Sequence, residues 1–154
     1  MRTRTSWREK LERVQDAKIT PVPPRMQRQL GAGTLLIPRP LDVDAMIRRI
    51  PKGKLTTVSR IRRALAREAS ADVACPLCTG LFLRIAAEAA EEDRSRGAKQ
   101  VTPYWRVVRD DGALIDRFPG GARAHADHLG DEGHDILPGK VSRVRLDPEL
   151  LADL

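Results

Sequence analysis

The sequence predicts a mainly helical domain with a small β component, preceded by a basic arm. Three observations lead there. Apolar residues recur at helical spacing in three stretches, 41–50, 57–68 and 76–94. Two of these are joined by a short connection, with arginines on the outer face of the first, which makes a helix-turn-helix candidate. The extended segments are short and bounded by Gly and Pro turns.

The elements follow in order. Ser6 is a plausible N-cap with Glu9 three residues on, so residues 6–17 read as a short helix with Trp7, Leu11 and Val14 on one face. Pro21-Val-Pro-Pro24 breaks it, Gly31-Ala-Gly33 turns the chain, and Thr34–Ile37 is a short strand. The stretch up to Pro40 reads as an arm laid over the main domain. In helix 41–50, Val43, Met46, Ile47 and Ile50 face inward. Pro51-Lys-Gly-Lys54 is a turn, and Thr56 or Thr57 caps helix 57–68, which buries Val58, Ile61, Ala64 and Leu65 and turns Arg60, Arg63 and Arg67 outward. Pro76 opens helix 76–94, with a stripe of Leu77, Leu81, Ile85 and Ala89 widened by Phe82 and Ala86. Pro103–Val108 reads as extended, Asp110-Asp-Gly112 as a turn, and Ala113–Asp116 as a return strand. Helix 122–131 is stopped by Gly133, residues 141–146 form a strand, and 147–153 a final turn. The expected organisation is an arm over 1–40, a domain over 41–137, and a C-terminal strand and short helix over 138–154.

Charge points to a polyanion partner. The net charge of +7 lies wholly in residues 1–52, which hold 12 Lys/Arg against 5 Asp/Glu; residues 53–154 hold 16 of each. A basic arm on a neutral body suits counterion release on nucleic acid, and equally suits a solvated surface. No run of 18 apolar residues suggests a membrane helix, and no apolar stretch follows the first cations, so neither membrane partner nor secretory leader is expected. The expected location is the cytoplasm, on the nucleoid if the chain is bacterial and bound to DNA. Cys75 and Cys78 form one Cys-x-x-Cys, half a zinc site at best. His125, His128 and His134 complete one only on paper, so no metal or cofactor is expected.

Four pieces, in this order, carry a resemblance: Ile50-Pro-Lys-Gly-Lys-Leu-Thr-Thr57, Pro103-Tyr-Trp-Arg-Val-Val108, Phe118-Pro-Gly-Gly121 and Leu129-Gly-Asp-Glu-Gly-His134. They resemble I-P-x-G-x-V-x-x-Y, P-C-H-R-V-V, Y-S-G-G and L-x-x-E-G of the O6-alkylguanine-DNA alkyltransferases, over about residues 41–137. The resemblance implies a winged helix-turn-helix domain whose recognition helix enters the minor groove and flips an alkylated guanine into a pocket. It places the family's acceptor cysteine on Tyr104, its activating histidine on Trp105, the glutamate that orients that histidine on Glu132, and the flipping tyrosine on Val58. The arginine that replaces the flipped base falls near Leu77, with Arg84 further along the same helix. The serine of Y-S-G-G is Pro119, while Arg106, Gly120 and Gly121 are kept.

A thiolate is the nucleophile in such chemistry, and a phenol with a pKa of about 10 is a poor substitute. The chain is thus closest in character to the alkyltransferase-like proteins, which lack the cysteine, bind alkylated DNA without repairing it and hand the lesion to nucleotide excision repair. The resemblance implies a non-enzymatic binder of double-stranded DNA that recognises alkylated or flipped bases, with nucleotide excision repair proteins as partners. Tyr104, Trp105, Val58 and Glu132 are its candidate base pocket. In a strand the two aromatics point to opposite faces, so at most one of them lines it and the other packs inside. Lys52, Lys54, Thr57, Arg60, Arg63, Arg67, Arg84 and Arg106 are candidate DNA contacts, Arg106 with a structural role as the rival. Arm residues Arg2, Arg4, Arg8 and Lys10 are further candidates. Two other readings stand beside it: an alkyltransferase or other nucleophilic enzyme using Cys75 or Cys78 at a helix N-terminus, and a fold repurposed to bind protein or RNA.

Overall fold

The computed structural model describes residues 4–154. Helix α1, Trp7–Leu11, starts at Ser6, whose hydroxyl accepts the Glu9 amide at 3.1 Å. It ends six residues before the expected boundary. Leu11 is fully buried against the helix that follows later, but Val14 is 98% exposed, so nothing rewards another turn. The chain instead runs into a strand that the sequence did not predict, β1 (Lys18–Pro21). β1 pairs antiparallel with β2 (Thr34–Ile37), and β2 pairs parallel with β4 (Val73–Ala74), so residues before 41 share a sheet with the helix-turn-helix. β1 is an edge strand with only partial burial and a terminal proline, which leaves no alternating signal to read. A one-turn helix α2, Gln27–Leu30, links β1 to β2.

Helix α3, Pro40–Arg48, has Asp42 accepting the Arg39 amide at 3.1 Å and buries Val43, Met46 and Ile47. Helix α4, Val58–Glu68, follows β3 (Thr56–Thr57). Thr57 is its cap, accepting the Arg60 amide at 3.3 Å, and its inner face is Ile61, Ala64 and Leu65. Helix α5, Pro76–Ser95, has the expected span but a rotated start. Leu77 is 79% and Leu81 55% exposed, while Thr79, Phe82, Leu83, Ile85, Ala86, Ala89 and Ala90 are buried. A step of four residues overshoots a full turn by about 40°, so a stripe begun at Leu77 sits about 80° from Ile85. The helix is apolar nearly all round, and packing against α1 and α3 rather than periodicity chose its inner face.

The segment expected to extend from Pro103 is a 3-10 turn over Tyr104–Arg106, followed by β5 (Val107–Val108), which pairs parallel with β3. The turn swings Tyr104 into the main core beside Phe82 and Phe118. Buried Asp44 on α3 fixes the approach by accepting the Thr102 hydroxyl at 2.6 Å. Ala113 returns to bridge Arg143 rather than to extend a ladder with β5, although its carbonyl accepts the Arg109 amide at 3.0 Å. Gly112 makes that turn with φ +85°, and a Cβ there would lie 2.7 Å from the Val144 carbonyl oxygen. Helix α6, Gly121–Asp131, ends at Gly133 as expected, and β6 (Ile136–Leu137) pairs antiparallel with β7 (Arg143–Val144). The chain then crosses back, with Leu55 donating to Leu150 and Ala152 donating to Leu55, both at 2.8 Å. Among the described residues no helix is long and apolar enough to cross a membrane.

Candidate nucleic-acid interface

The 3-10 turn separates the two aromatics. Tyr104 is 1% exposed, edge-on to Phe118 and Trp105 at ring distances of 5.1 and 5.2 Å. Its hydroxyl donates to Glu91 at 2.7 Å. Burial, then Glu91, push the phenol pKa well above its ordinary value, so Tyr104 stays neutral with its proton committed. It cannot act as the missing nucleophile, and it does not reach the surface.

Trp105 does. It borders an open cleft of about 630 Å³, together with Arg48, Arg94, Lys99, Pro103 and Arg106. Among the described residues four cations and no carboxylate line it. Arg48 is held by Asp44 at 2.9 Å and Arg94 lies 3.6 Å from Glu91, whereas Lys99 has no ion pair among the described residues. His128 on α6 stacks on the Trp105 ring at 4.4 Å and 10°, and the Arg94 and Arg106 guanidinium carbons sit 5.5 and 5.9 Å from its centre.

Glu132 and His125 hold this arrangement. Glu132, at the C-terminal end of α6, accepts the Trp105 indole N–H at 3.0 Å and the Arg106 Nε and Nη2 at 2.9 and 2.8 Å. Burial opposes its charge, but hydrogen bonds from Arg106 and Trp105 outweigh that and keep the carboxyl pKa below the ordinary range. Arg106 also donates to the Ile50 carbonyl at 2.7 Å, tying the turn to the segment before Pro51. Its role is that of an anchor. His125 Nδ1 accepts the Ile115 amide at 3.1 Å, which leaves Nε2 to carry the proton and donate to the Trp105 carbonyl at 2.8 Å. Burial pushes its pKa down to about 4, so it is neutral.

The other candidates lie apart from the cleft. Arg60 donates to the Ala152 carbonyl at 3.2 Å, Arg67 to that of Leu154 and Lys54 to that of Glu149, so the C-terminal segment occupies three of the expected DNA contacts. Arg63 and Lys52 are exposed, and Thr57 is committed as a helix cap. A second cleft of about 760 Å³ on α4 mixes Arg60, Arg62 and Arg63 with Asp72, Asp110 and Asp111, and among the described residues none lines both clefts. Half-buried Val58 lines neither. Arg84 is exposed on α5 near the Trp7 ring, on the same outward face as Leu77 and Leu81. Within the arm, Arg8 pairs with Asp93 while Glu92 accepts the Trp7 and Arg8 amides at 3.0 and 3.1 Å. Lys10 lies over the Trp7 ring, Arg4 is exposed, and Arg2 lies outside the described residues.

Cys75 caps α5, buried, and Cys78 is half-buried one turn on. Burial and the neighbouring Cys75 sulfur push the Cys78 thiol up to about 11, against the helix N-terminus effect expected from sequence. Neither cysteine borders the Trp105 cleft, and no cluster of three metal-ligating residues exists among the described residues. Sequence reasoning missed Glu91, Arg94, Lys99 and the roles of His125 and His128. The i, i+3 spacing of the two histidines on α6 was the available signal, since it sets both on one face.

No family model matches the sequence, and no curated protein does. The fold is similar to two solved structures from S. pombe. One is Atl1 in complex with damaged DNA containing O6-carboxymethylguanine, with a TM-score of 0.53 and 19% identity over 75% of this chain and 94% of that one. The other is the S. pombe ATL in complex with DNA, at a TM-score of 0.51 with the same identity and coverage. With its helix-turn-helix of α4 and α5, its mainly helical body and its small sheets, the chain has the fold of the alkyltransferase-like proteins.

Proposed function

We propose that the protein is a non-enzymatic binder of duplex DNA that recognises an alkylated or otherwise flipped base and serves DNA repair, with nucleotide excision repair proteins as the recruited partners. One observation carries the reading. Where the sequence resembles an acceptor site, the phenol of Tyr104 is sealed in the core, while Trp105 and four cations border an open cleft. Such a cleft suits contact with a base edge or aromatic face under an anionic backbone, and no cysteine thiol lines it. The similar S. pombe structures hold DNA, one of them damaged DNA, and that supports the same partner here.

The test compares plain, mismatched and O6-alkylated duplexes at two salt concentrations, with the intact protein mass read on the same samples. The expected result is salt-sensitive binding to all three, tightest to the alkylated duplex, with protein mass unchanged. Equal affinity for all three removes the recognition of damage. An alkyl adduct on the protein replaces the reading with that of an enzyme.

A further inference from the structure

We propose that Cys75 and Cys78 form a reversible intramolecular disulfide by exchange with a low-molecular-weight disulfide. This does not depend on DNA binding. Both side chains are free thiols at the first turn of α5. Cys75 is the cap, with extended backbone (φ −60°, ψ 121°), and its Sγ folds back over the turn to accept the Cys78 amide at 3.5 Å. Cys78 packs against the same small cluster, Val22, Leu35 and Cys75, that buries its neighbour. Pro76 fixes the intervening backbone. The Cys75 amide donates to the Leu36 carbonyl at 2.8 Å, and the Cys75 carbonyl accepts the Thr79 amide and hydroxyl at 3.0 and 2.7 Å. Both cysteines are thus held on one turn braced from the sheet and from within the helix, with the Cys75 sulfur already lying over the Cys78 backbone, so bond formation needs little rearrangement.

Access is unequal, which sets the order of events. Cys75 is packed against Val22 and Leu35, whereas Cys78 is half-buried. Cys78 loses its proton to solvent and its thiolate attacks one sulfur of the incoming disulfide. A mixed disulfide forms and the other half leaves as a thiolate. Cys75, deprotonated in turn, attacks the Cys78 sulfur, forms the internal bond and expels the second thiolate. The two released protons return to the two leaving thiolates, so the protein loses two hydrogens and the reagent gains them. The raised pKa of Cys78 leaves little thiolate at neutral pH, so exchange is slow there and quickens as the solution becomes alkaline. The bond spans Pro76 and Leu77, and so tethers the exposed leucine at the tip of α5.

The test equilibrates the whole protein with glutathione and glutathione disulfide over a range of ratios, quenches in acid, alkylates free thiols and reads the mass. The expected product is lighter by two hydrogens, refuses alkylation and keeps the circular dichroism of the reduced protein. Cys75→Ser, which keeps a cap oxygen, should trap glutathione on Cys78; Cys78→Ser should react far more slowly. Two alkylatable thiols at every ratio, or a stable glutathione adduct on the unmodified sequence, would overturn the proposal. Equal reactivity of the two variants would overturn the order of attack.

Discussion

Replacing Glu132 by Ala removes the acceptor of three N–H donors at once. The side chains of Glu132 and Arg106 are only 8% and 14% exposed, so the substitution strands a guanidinium and an indole N–H inside the protein. Breaking one side of a buried pair in this way costs about 3–5 kcal/mol, a large share of a domain stability of about 5–15 kcal/mol. Glu132→Gln keeps an oxygen for Trp105 and loses the charge that Arg106 needs, so it should fall between, near 2 kcal/mol. Urea melts at neutral pH measure both. The pH dependence gives a second check. The carboxyl pKa is lowered on folding, so its stabilisation is present above the ordinary glutamate range and is lost as pH falls through the folded value. The unmodified protein should therefore lose stability in acid more steeply than Glu132→Gln. A loss under about 1 kcal/mol for Glu132→Ala, the range of exposed ion pairs, would refute the view that Glu132 organises the cleft.

Other substitutions separate core from cleft. Trp105→Ala should remove any preference for alkylated DNA, by about 1–3 kcal/mol of stacking, read as a ratio of dissociation constants. Tyr104→Phe should cost about 1 kcal/mol in a urea melt through the lost bond to Glu91, and leave DNA affinity unchanged. Changing Arg94 and Lys99 together to Gln should weaken binding to plain and damaged duplexes alike and flatten the dependence on salt. His125 has a folded pKa of about 4 against 6.5 ordinarily, so its contribution is complete above 6.5 and lost as pH falls towards 4, roughly 3 kcal/mol in all. Histidine titration by NMR should find that ring neutral at pH 5.5, and a charged ring there would contradict the geometry.

The sequence carried the helices α3, α4 and α6 well, because each has caps or a glycine stop and one apolar face. Ser6, Thr57, Pro76 and Gly133 mark ends that the structure keeps. It was poor where tertiary contacts decide. α1 stops at Leu11 because the surface it covers ends there. The start of α5 is rotated because its alanines and leucines make every face apolar. β1, β3 and the turn at Tyr104 exist through partners distant in sequence. In the site, the motif order located Tyr104, Trp105, Arg106 and Glu132 together, while which aromatic the carboxylate would meet was not readable. Arg94 and Lys99 were not, since nothing local says that the end of α5 and the loop after it fold beside Trp105. The occupation of Arg60 and Arg67 by the C-terminal segment was equally hidden, because carbonyl acceptors leave no mark in a sequence.

Under the proposed function, the Trp105 indole at the edge of the cleft meets the displaced base. Trp7 and Trp105 are the two tryptophans, so a Trp7→Phe protein reports on Trp105 alone. Its fluorescence is titrated with a plain duplex and with the same duplex carrying one O6-alkylguanine. Strong quenching by the alkylated duplex and little by the plain one is the expected result; identical titrations would contradict the claim.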